Sequence, residues 1–413
     1  MDTAPDGPPR GERPQIHALT GARFFAALMV VFYHFGAYRL GTPWPFTKLF
    51  DGPAAVAFFF VLSGFVLTYN YESWFEGSVR WRDWKRFLRA RIARIYPMHV
   101  CALFLGTLLF LWAYRYRPGR AVLYNGSYPT AELAASWISN LLLVMVYVPR
   151  QLYILPWNPP AWSIAAELFF YCLFPFILAA LCRLRSRRAL IAALFSIYAG
   201  ELLLLGSSAR MLGVVGDAVP WERFALRVYD MPPFRLAEFA IGCCLGLILV
   251  RSRGRGEKPA KEDGDLSRNL ALLAGIGAVA ALLLLPGVEG RWAQWAGVYR
   301  GFSLFALPCA LIVYCLASGR TLLSPVLESK WVVILGEASY ALYMVHWMAL
   351  MFWNYTDFGM AGAWTLVLSL VPLSLVFHAW MEKPARRLIL GDRLHRTRPA
   401  ASDAPGAPAL PKV

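Results

Sequence analysis

Two ionisable residues in the first apolar segment could carry chemistry, because their spacing places them on one side of a helix. Arg23 and His34 stand eleven residues apart in TGARFFAALMVVFYHF. Eleven residues of helix turn through about 1100° and rise about 16.5 Å, so both side chains point to one face. A guanidinium near the membrane boundary suits a phosphate, and a deeper neutral imidazole suits proton abstraction from a hydroxyl. The structural alternative is a boundary arginine and a histidine bonded to a neighbouring helix.

A carboxylate interrupts another apolar segment, NPPAWSIAAELFFYCLFP. Glu167 stands deep in this segment, where a lone acid needs either a proton or a partner. His34 is the predicted partner, with Glu167 orienting the imidazole; a structural hydrogen bond between helices is the alternative. Ser163 lies four residues earlier on the same helical face and is predicted to contact substrate.

A basic, Trp-rich segment, WRDWKRFLRARIARIYP, precedes a further apolar run. Basic and aromatic residues in this alternation are typical of a helix at the membrane interface, where they contact lipid headgroups. Arg91 and Arg94 are three residues apart, hence neighbours on one face. We therefore predict that this pair binds an anion.

Two further polar groups stand in GEASYALYMVHW and FRLAEFAIGCCLG. Ser339, Tyr343 and His346 share one helical face, which predicts either a polar seam between helices or a site in which Tyr343 or His346 donates to a developing oxyanion. Arg235 and Glu238 are an i, i+3 pair, which predicts a structural salt bridge or, alternatively, acceptor binding.

Composition requires that membrane-spanning helices position these residues. Of 413 residues, 58% are hydrophobic and 16% are charged, whereas a soluble domain carries about 25% charge. An all-α polytopic transmembrane bundle is therefore predicted. The apolar segments are 18–38, 52–70, 96–114, 136–149, 161–182, 189–206, 235–250, 269–286, 298–317, 331–353 and 361–381.

The net charge of +16 concentrates in short loops, which argues for membrane topology and against nucleic-acid binding. Arg80–Arg94, Arg183–Arg188 and the stretch after Lys383 are basic and should face the cytoplasm. Parity then forbids 136–149 from crossing completely, so we predict a re-entrant or tilted segment there. Ten crossings in the cell membrane remain, with both termini cytoplasmic.

The domain plan is simple. Residues 18–388 form one transmembrane domain, and the polar, Pro-rich tails 1–17 and 389–413 are predicted to be disordered cytoplasmic segments. The seven cysteines lie in or beside apolar segments at irregular spacing, which is typical of small hydrophobic residues and not of a zinc site or a disulfide framework. No metal site and no permanently bound cofactor are expected.

Seven short motifs, in this order, together make the chain resemble the acyltransferase-3 family of integral membrane O-acyltransferases. The resemblance covers about Leu19 to Pro384. The seven motifs are Arg-x10-His after LTGARF, FFFVLSGF, Arg-x-x-Arg with IYP, WSIAAE, RLAEFAIG, SYALYMVH and EKPARR.

The resemblance implies acyl-CoA, usually acetyl-CoA, as a cytoplasmic co-substrate and a hydroxyl acceptor on a glycan or glycolipid, or alternatively on a lipid or macrolide-like metabolite. It also implies that Arg23 and His34 are critical. With these residues we predict that Arg23, Arg91 and Arg94 hold the donor phosphates and that His34 is the general base. A transient acyl-histidine is an alternative to direct transfer.

The prediction is that the arginines and His34 line one water-accessible tunnel. A proton-coupled lipid or glycan transporter, with His34, Glu167 and His346 as a relay, is the alternative from another functional class.

Overall fold

The computed structural model describes residues 13–38, 49–117, 129–154, 156–213, 228–254, 265–284, 291–356 and 358–391. Residues 1–12 and 392–413, which make up most of the tails predicted to be disordered, lie outside the described residues. Helices dominate the described residues, which contain no β-strand. They are α1 (His17–Tyr38), α2 (Gly52–Phe75), α3 (Trp81–Tyr116), α4 (Thr130–Leu141), α5 (Gln151–Ile154), α6 (Ala161–Cys182), α7 (Arg187–Met211), α8 (Leu236–Gly254), α9 (Leu266–Leu284), α10 (Arg291–Gly301), α11 (Ala306–Ser318), α12 (Ser324–Leu327), α13 (Lys330–Glu337), α14 (Ser339–Tyr355), α15 (Met360–Phe377) and α16 (Lys383–Leu390).

Nine stretches of helix in the described part of the chain are long and apolar enough to cross a membrane. A tenth is present if α13 and α14, which meet at 61°, count as one broken span. This confirms the prediction of an all-helical polytopic bundle with about ten crossings. The break in the tenth span is new, because the sequence predicts one uninterrupted segment over 331–353.

The segment 136–149 does not form a span, as its parity predicts. It contains the end of α4 and a short 3₁₀ helix, Met145–Tyr147. Between them the chain reverses at Leu143, whose φ is 58°. Hydrogen bonds hold the segment against its neighbours: His99 Nε2 lies 2.9 Å from the Asn140 carbonyl, and Trp157 Nε1 donates to Ser136 Oγ at 2.7 Å.

Small residues let the central helices approach closely. Gly64 of α2 lies against the backbone carbonyl of Phe239, and Gly242 of α8 lies against that of Val61. A Cβ at either glycine would overlap the facing backbone. The glycines in FFFVLSGF and RLAEFAIG therefore serve helix packing, which in a membrane depends on close van der Waals contact.

One end of the bundle carries a cluster of arginine side chains. Arg13, just before α1, donates to the Tyr69 carbonyl and pairs with Glu72 at 2.9 Å, so the start of α1 and the finish of α2 share this end. Arg91 and Arg94 on α3 and Arg386 on α16 lie on the same cavity as Arg13. This side of the molecule is called the basic end below.

Candidate active site

A cavity of about 390 Å³ runs into the bundle from the basic end. One stripe of α2 forms its longest wall, with residues spaced three and four apart as a single helical face requires. From its first to its last member the stripe rises about 21 Å along the helix. Its members are Val56, Phe59, Phe60, Ser63, Val66, Leu67 and Asn70.

The mouth of the cavity is strongly cationic. Five arginines contribute to the wall, whereas Glu167 is its only acidic residue among those described. Arg94 is close enough to Arg23 and Arg386 for their charges to repel. The arginines on the wall are Arg13, Arg23, Arg91, Arg94 and Arg386.

All three residues predicted to bind the donor phosphates, Arg23, Arg91 and Arg94, therefore lie on one wall. Arg91 is held in place by Tyr71, whose hydroxyl accepts from Arg91 Nη2 at 2.9 Å and whose ring lies 5.2 Å from the guanidinium carbon. Guanidinium groups grouped in this way bind phosphate through charge-assisted hydrogen bonds.

Sequence reasoning missed Arg386 as a member of this cluster. It is exposed in α16 and reaches the cavity from the far end of the chain. The EKPARR motif was the available signal, but a basic tail after the last span is also what topology alone requires. Only the packing of α16 against α3, where Arg89 Nη2 donates to the Ile389 carbonyl at 2.6 Å, brings Arg386 to the site.

The predicted contact between Glu167 and His34 is wrong. Glu167 accepts a hydrogen bond of 2.7 Å from Tyr171, one turn later in α6, and interacts electrostatically with Arg23 and Arg94. The geometric reason is depth. Glu167 lies one turn nearer the basic end than Ser163, whereas His34 lies three turns beyond Arg23.

The partner of His34 is His346. His346 Nε2 lies 3.0 Å from His34 Nδ1, and the two rings stack with centroids 5.0 Å apart. His346 Nδ1 lies 2.6 Å from the Tyr343 carbonyl, which can only accept. In a neutral pair the proton of His346 is therefore on Nδ1, and its Nε2 can accept from His34 Nδ1, which leaves the lone pair of His34 on Nε2. The backbone of Val30, four residues earlier in α1, also hydrogen-bonds the His34 ring.

The cavity stops short of this histidine pair. Its inner end is closed by Phe59, Ser163 and Tyr343, which we call the closing layer. Ser163 Oγ lies 2.8 Å from the Tyr343 hydroxyl, and the two oxygens lie 2.9 Å and 3.1 Å from the Pro160 carbonyl, so one hydroxyl donates to the carbonyl and the other donates within the pair. Phe59 packs edge-on against Tyr343, with ring centroids 6.2 Å apart.

The prediction of one tunnel that joins the arginines to His34 is therefore wrong for this conformation. Neither His34 nor His346 lines the cavity. His346 is buried behind Tyr343, with ring centroids 5.7 Å apart, and His34 is half-buried beside Tyr33 and Trp347. The closing layer thus separates an anion-binding compartment from an imidazole pair.

Ser339 lines the cavity as its helical face predicts, together with Tyr343 of the same helix. Its hydroxyl donates to the Gly336 carbonyl at 2.7 Å, across the break between α13 and α14. His346, the third member of the predicted face, lies beyond the closing layer. The predicted polar face is therefore divided between the two compartments.

Arg235 and Glu238 lie outside the cavity and have no exposed side-chain surface. Their charged groups are 3.1 Å apart, and Arg235 Nη1 donates to the Gly301 carbonyl at 3.0 Å. The rings of Phe60, Tyr229 and Phe302 surround the guanidinium. This geometry fits the structural salt bridge, since both charged groups are fully buried and face each other; acceptor binding by this pair stays a prediction.

Comparison with known proteins shows which protein family the chain belongs to. The family model for acyltransferase-3, described as an acyltransferase domain, matches residues 16–382. The chain belongs to this family. The match spans all of the elements that build the cavity except α16, including α1 with both Arg23 and His34.

Individual relatives agree with this class. The chain is similar to acyltransferase MdmB of Streptomyces mycarofaciens, with 29% identity over 98% of this chain and 99% of the relative. It is 26% identical to O-acetyltransferase OatA of Staphylococcus aureus and 25% identical to the putative peptidoglycan O-acetyltransferase YrhL of Bacillus subtilis. The chain spans 57% and 55% of the lengths of those two relatives. No solved structure matches it.

Membership of the acyltransferase-3 family makes this multi-pass membrane protein an acyltransferase. It favours the predicted enzyme over the alternative of a proton-coupled transporter. The named relatives include O-acetyltransferases, so transfer of an acyl group to an oxygen is the chemistry that the site must accommodate.

Proposed function

We propose that the protein transfers an acetyl group from acetyl-CoA to a hydroxyl of a glycan or glycolipid. The cavity carries the proposal: it is cationic at its mouth, extends about 21 Å along the face of α2 and ends at Phe59, Ser163 and Tyr343. Coenzyme A is anionic at one end and reactive at the other, with a long flexible arm between them. The arginines match the phosphates, the face of α2 matches the arm, and the acetyl group lies at the closing layer.

The proposed donor site faces the cytoplasm. The basic end carries the Trp81–Arg94 region and the EKPARR segment, and short basic segments favour the cytoplasmic side. The Trp81–Arg94 region is the first part of α3, which continues unbroken from Trp81 to Tyr116; Trp81 is 64% exposed, and Trp84 donates to the Cys172 carbonyl of α6 at 3.1 Å. Acetyl-CoA is made in that compartment, so it enters the cavity at its arginine mouth.

His34 is proposed as the general base. Its Nε2 lone pair, fixed by the hydrogen bond from Nδ1 to His346, takes the proton of the acceptor hydroxyl. The oxygen attacks the thioester carbon, the carbon–sulfur bond breaks, and the departing thiolate receives a proton. His346 is then a positioning residue for His34 and not a donor to the oxyanion, because its Nε2 is already an acceptor.

Reaction requires that the closing layer open. Tyr343 stands between the cavity end and His346, and two hydrogen bonds, to Ser163 and to the Pro160 carbonyl, hold its hydroxyl. Rotation of Tyr343 breaks these bonds, joins the two compartments and frees the phenol to donate to the developing oxyanion. Until then the layer shields the thioester from the histidine pair.

The acceptor is proposed to reach His34 from the end of the bundle opposite the arginines. His34 lies near the finish of α1, beyond the closing layer, so an acceptor need not pass the cationic mouth. The name of YrhL includes peptidoglycan, a glycan, and supports a sugar hydroxyl as the acceptor.

Thioester turnover by the purified protein tests the function. Protein in liposomes is given acetyl-CoA with a panel of glycan, glycolipid and macrolide acceptors, and free thiol and acetylated product are measured together. We expect equal amounts of both with at least one sugar acceptor. Failure to consume acetyl-CoA in the presence of every acceptor, with transport of an acceptor across the liposome, would establish the transporter instead.

A further inference from the structure

The residues that line the inner end of the donor cavity bear on which lengths of acyl group the cavity can hold. On the α2 stripe, polar residues stand at Asn70 and Ser63, and only apolar residues lie deeper than Ser63, at Phe60, Phe59 and Val56. A thioester bound with its phosphates among the arginines therefore places its acyl group against the last three residues. These three apolar side chains favour a hydrocarbon chain. The hydroxyls of Ser163 and Tyr343 at the same end bond to each other and to the Pro160 carbonyl.

Phe59 differs from Phe60 because it lines the cavity and also belongs to the closing layer. Phe60 is fixed in the core, packed edge-on against Trp162 and Phe170 with ring centroids 6.0 Å and 5.1 Å away. Phe59 instead is half-buried and contacts Tyr343 of the closing layer. Its ring thus occupies the space into which a longer acyl chain would extend.

We propose that Phe59 sets the length of the acyl group that the enzyme transfers, admitting acetyl and excluding longer chains. This inference rests on the proposed function, because it assumes that an acyl-CoA occupies the cavity. The reaction is unchanged whatever the acyl length: the carbon–sulfur bond of the thioester breaks, the carbon–oxygen bond of the ester forms, and the thiolate gains the proton that the hydroxyl loses.

The size of the effect follows from hydrophobic discrimination. One methylene more or less in an apolar pocket changes kcat/KM by about 10-fold to 200-fold. Removal of the phenyl ring of Phe59 leaves room for more than one methylene. A Phe59→Ala variant should therefore accept butyryl-CoA, and a Phe59→Trp variant should reject propionyl-CoA more strongly than the parent protein does.

The experiment compares acetyl-CoA, propionyl-CoA and butyryl-CoA as donors for one acceptor. The measured quantity is the ratio of kcat/KM for butyryl-CoA to that for acetyl-CoA, in purified parent protein and in Phe59→Ala, Phe59→Leu and Phe59→Trp. Phe58→Ala is the matched control, because the Phe58 ring packs against Phe59 at 6.2 Å but does not line the cavity. The Leu variant keeps most of the packing and serves if the Ala variant does not fold.

We expect the ratio to rise about 10-fold or more in Phe59→Ala, to rise less in Phe59→Leu, to fall in Phe59→Trp and to stay unchanged in Phe58→Ala. Active Phe59 variants that keep the parent ratio, or an equal rise in Phe58→Ala, would overturn the inference and leave the proposed function standing. A parent protein that turns over none of the three thioesters would overturn the proposed function, and this inference with it.

Discussion

His34→Gln is expected to lower the rate of acyl transfer by about 10²-fold to 10⁴-fold, the range that general-base catalysis contributes. Glutamine approximates the size of histidine and can still bond to His346, but its amide cannot take a proton from a hydroxyl. The donor cavity is untouched, because His34 does not line it. The loss should therefore fall on kcat, with an unchanged KM for acetyl-CoA.

His17→Gln is the matched control for this variant, because His17 is an exposed histidine at the start of the same helix. It should retain the parent rate. Product formation is followed by mass spectrometry, and size-exclusion chromatography verifies folding. A His34→Gln protein that is folded and fully active would remove His34 from the mechanism.

Variants of His346 separate a positioning role from a direct one. His346→Phe removes the acceptor that fixes the proton of His34 on Nδ1, whereas His346→Gln retains one acceptor and one donor. We expect activity to fall in the order parent, Gln, Phe, with KM for acetyl-CoA unchanged throughout. The same rate in both variants would show that the hydrogen bond of 3.0 Å between the two imidazoles does not orient the base.

Arg94→Gln is expected to raise KM for acetyl-CoA by about 10-fold to 150-fold, as loss of a hydrogen bond to a charged group worth about 1.5–3 kcal/mol implies. Arg94 lies on the cavity wall near Arg23, Arg386 and Glu167, which places it centrally in the cluster. Phosphate contacts are made equally in the ground state and the transition state, so kcat should change little.

Acetyl-CoA at 100 times its Kd should stabilise the parent protein by about 2.7 kcal/mol and the variant by much less at that concentration. Arg387→Gln is the control, since Arg387 is the exposed neighbour of Arg386 and does not line the cavity. Equal KM values in Arg94→Gln and Arg387→Gln would show that the cluster binds no donor.

The spacing of residues along a single segment predicts those parts of the site that lie on one helix. The eleven-residue spacing of Arg23 and His34 was sufficient to direct both side chains into the bundle, and the parity of basic loops was sufficient to exclude 136–149 as a span. Both follow from helix geometry and from the cost of placing charge in lipid, which act within one segment.

Contacts between distant segments could not be obtained in this way. His34 and His346 are 312 residues apart in sequence, and the sequence pairs Glu167 with His34 because an ionisable group inside the membrane needs a partner. The structure satisfies Glu167 within its own helix, through Tyr171 four residues later. That i, i+4 pair was visible in the sequence and was the simpler solution.

The second wrong prediction, the continuous tunnel, concerns how deep each residue lies along the bundle. Sequence spacing gives the rise along one helix but not the offset between neighbouring helices, so the shared face of Arg23 and His34 predicts a continuous tunnel where the structure has two compartments. The break between α13 and α14 accounts for the difference. Gly336 lies against the Thr20 carbonyl, and the 61° bend that follows carries Tyr343 across the end of the cavity.

The central claim is that one cavity binds the donor with its phosphates among the arginines and its acyl group at the closing layer. A cryo-electron microscopy structure with a non-reactive thioether analogue of acetyl-CoA tests it most directly. The expected density places phosphates within hydrogen-bond distance of Arg23 and Arg94 and the acyl group against Phe59 and Tyr343. Phosphates bound away from these arginines, or an acyl group directed out of the bundle, would contradict the account.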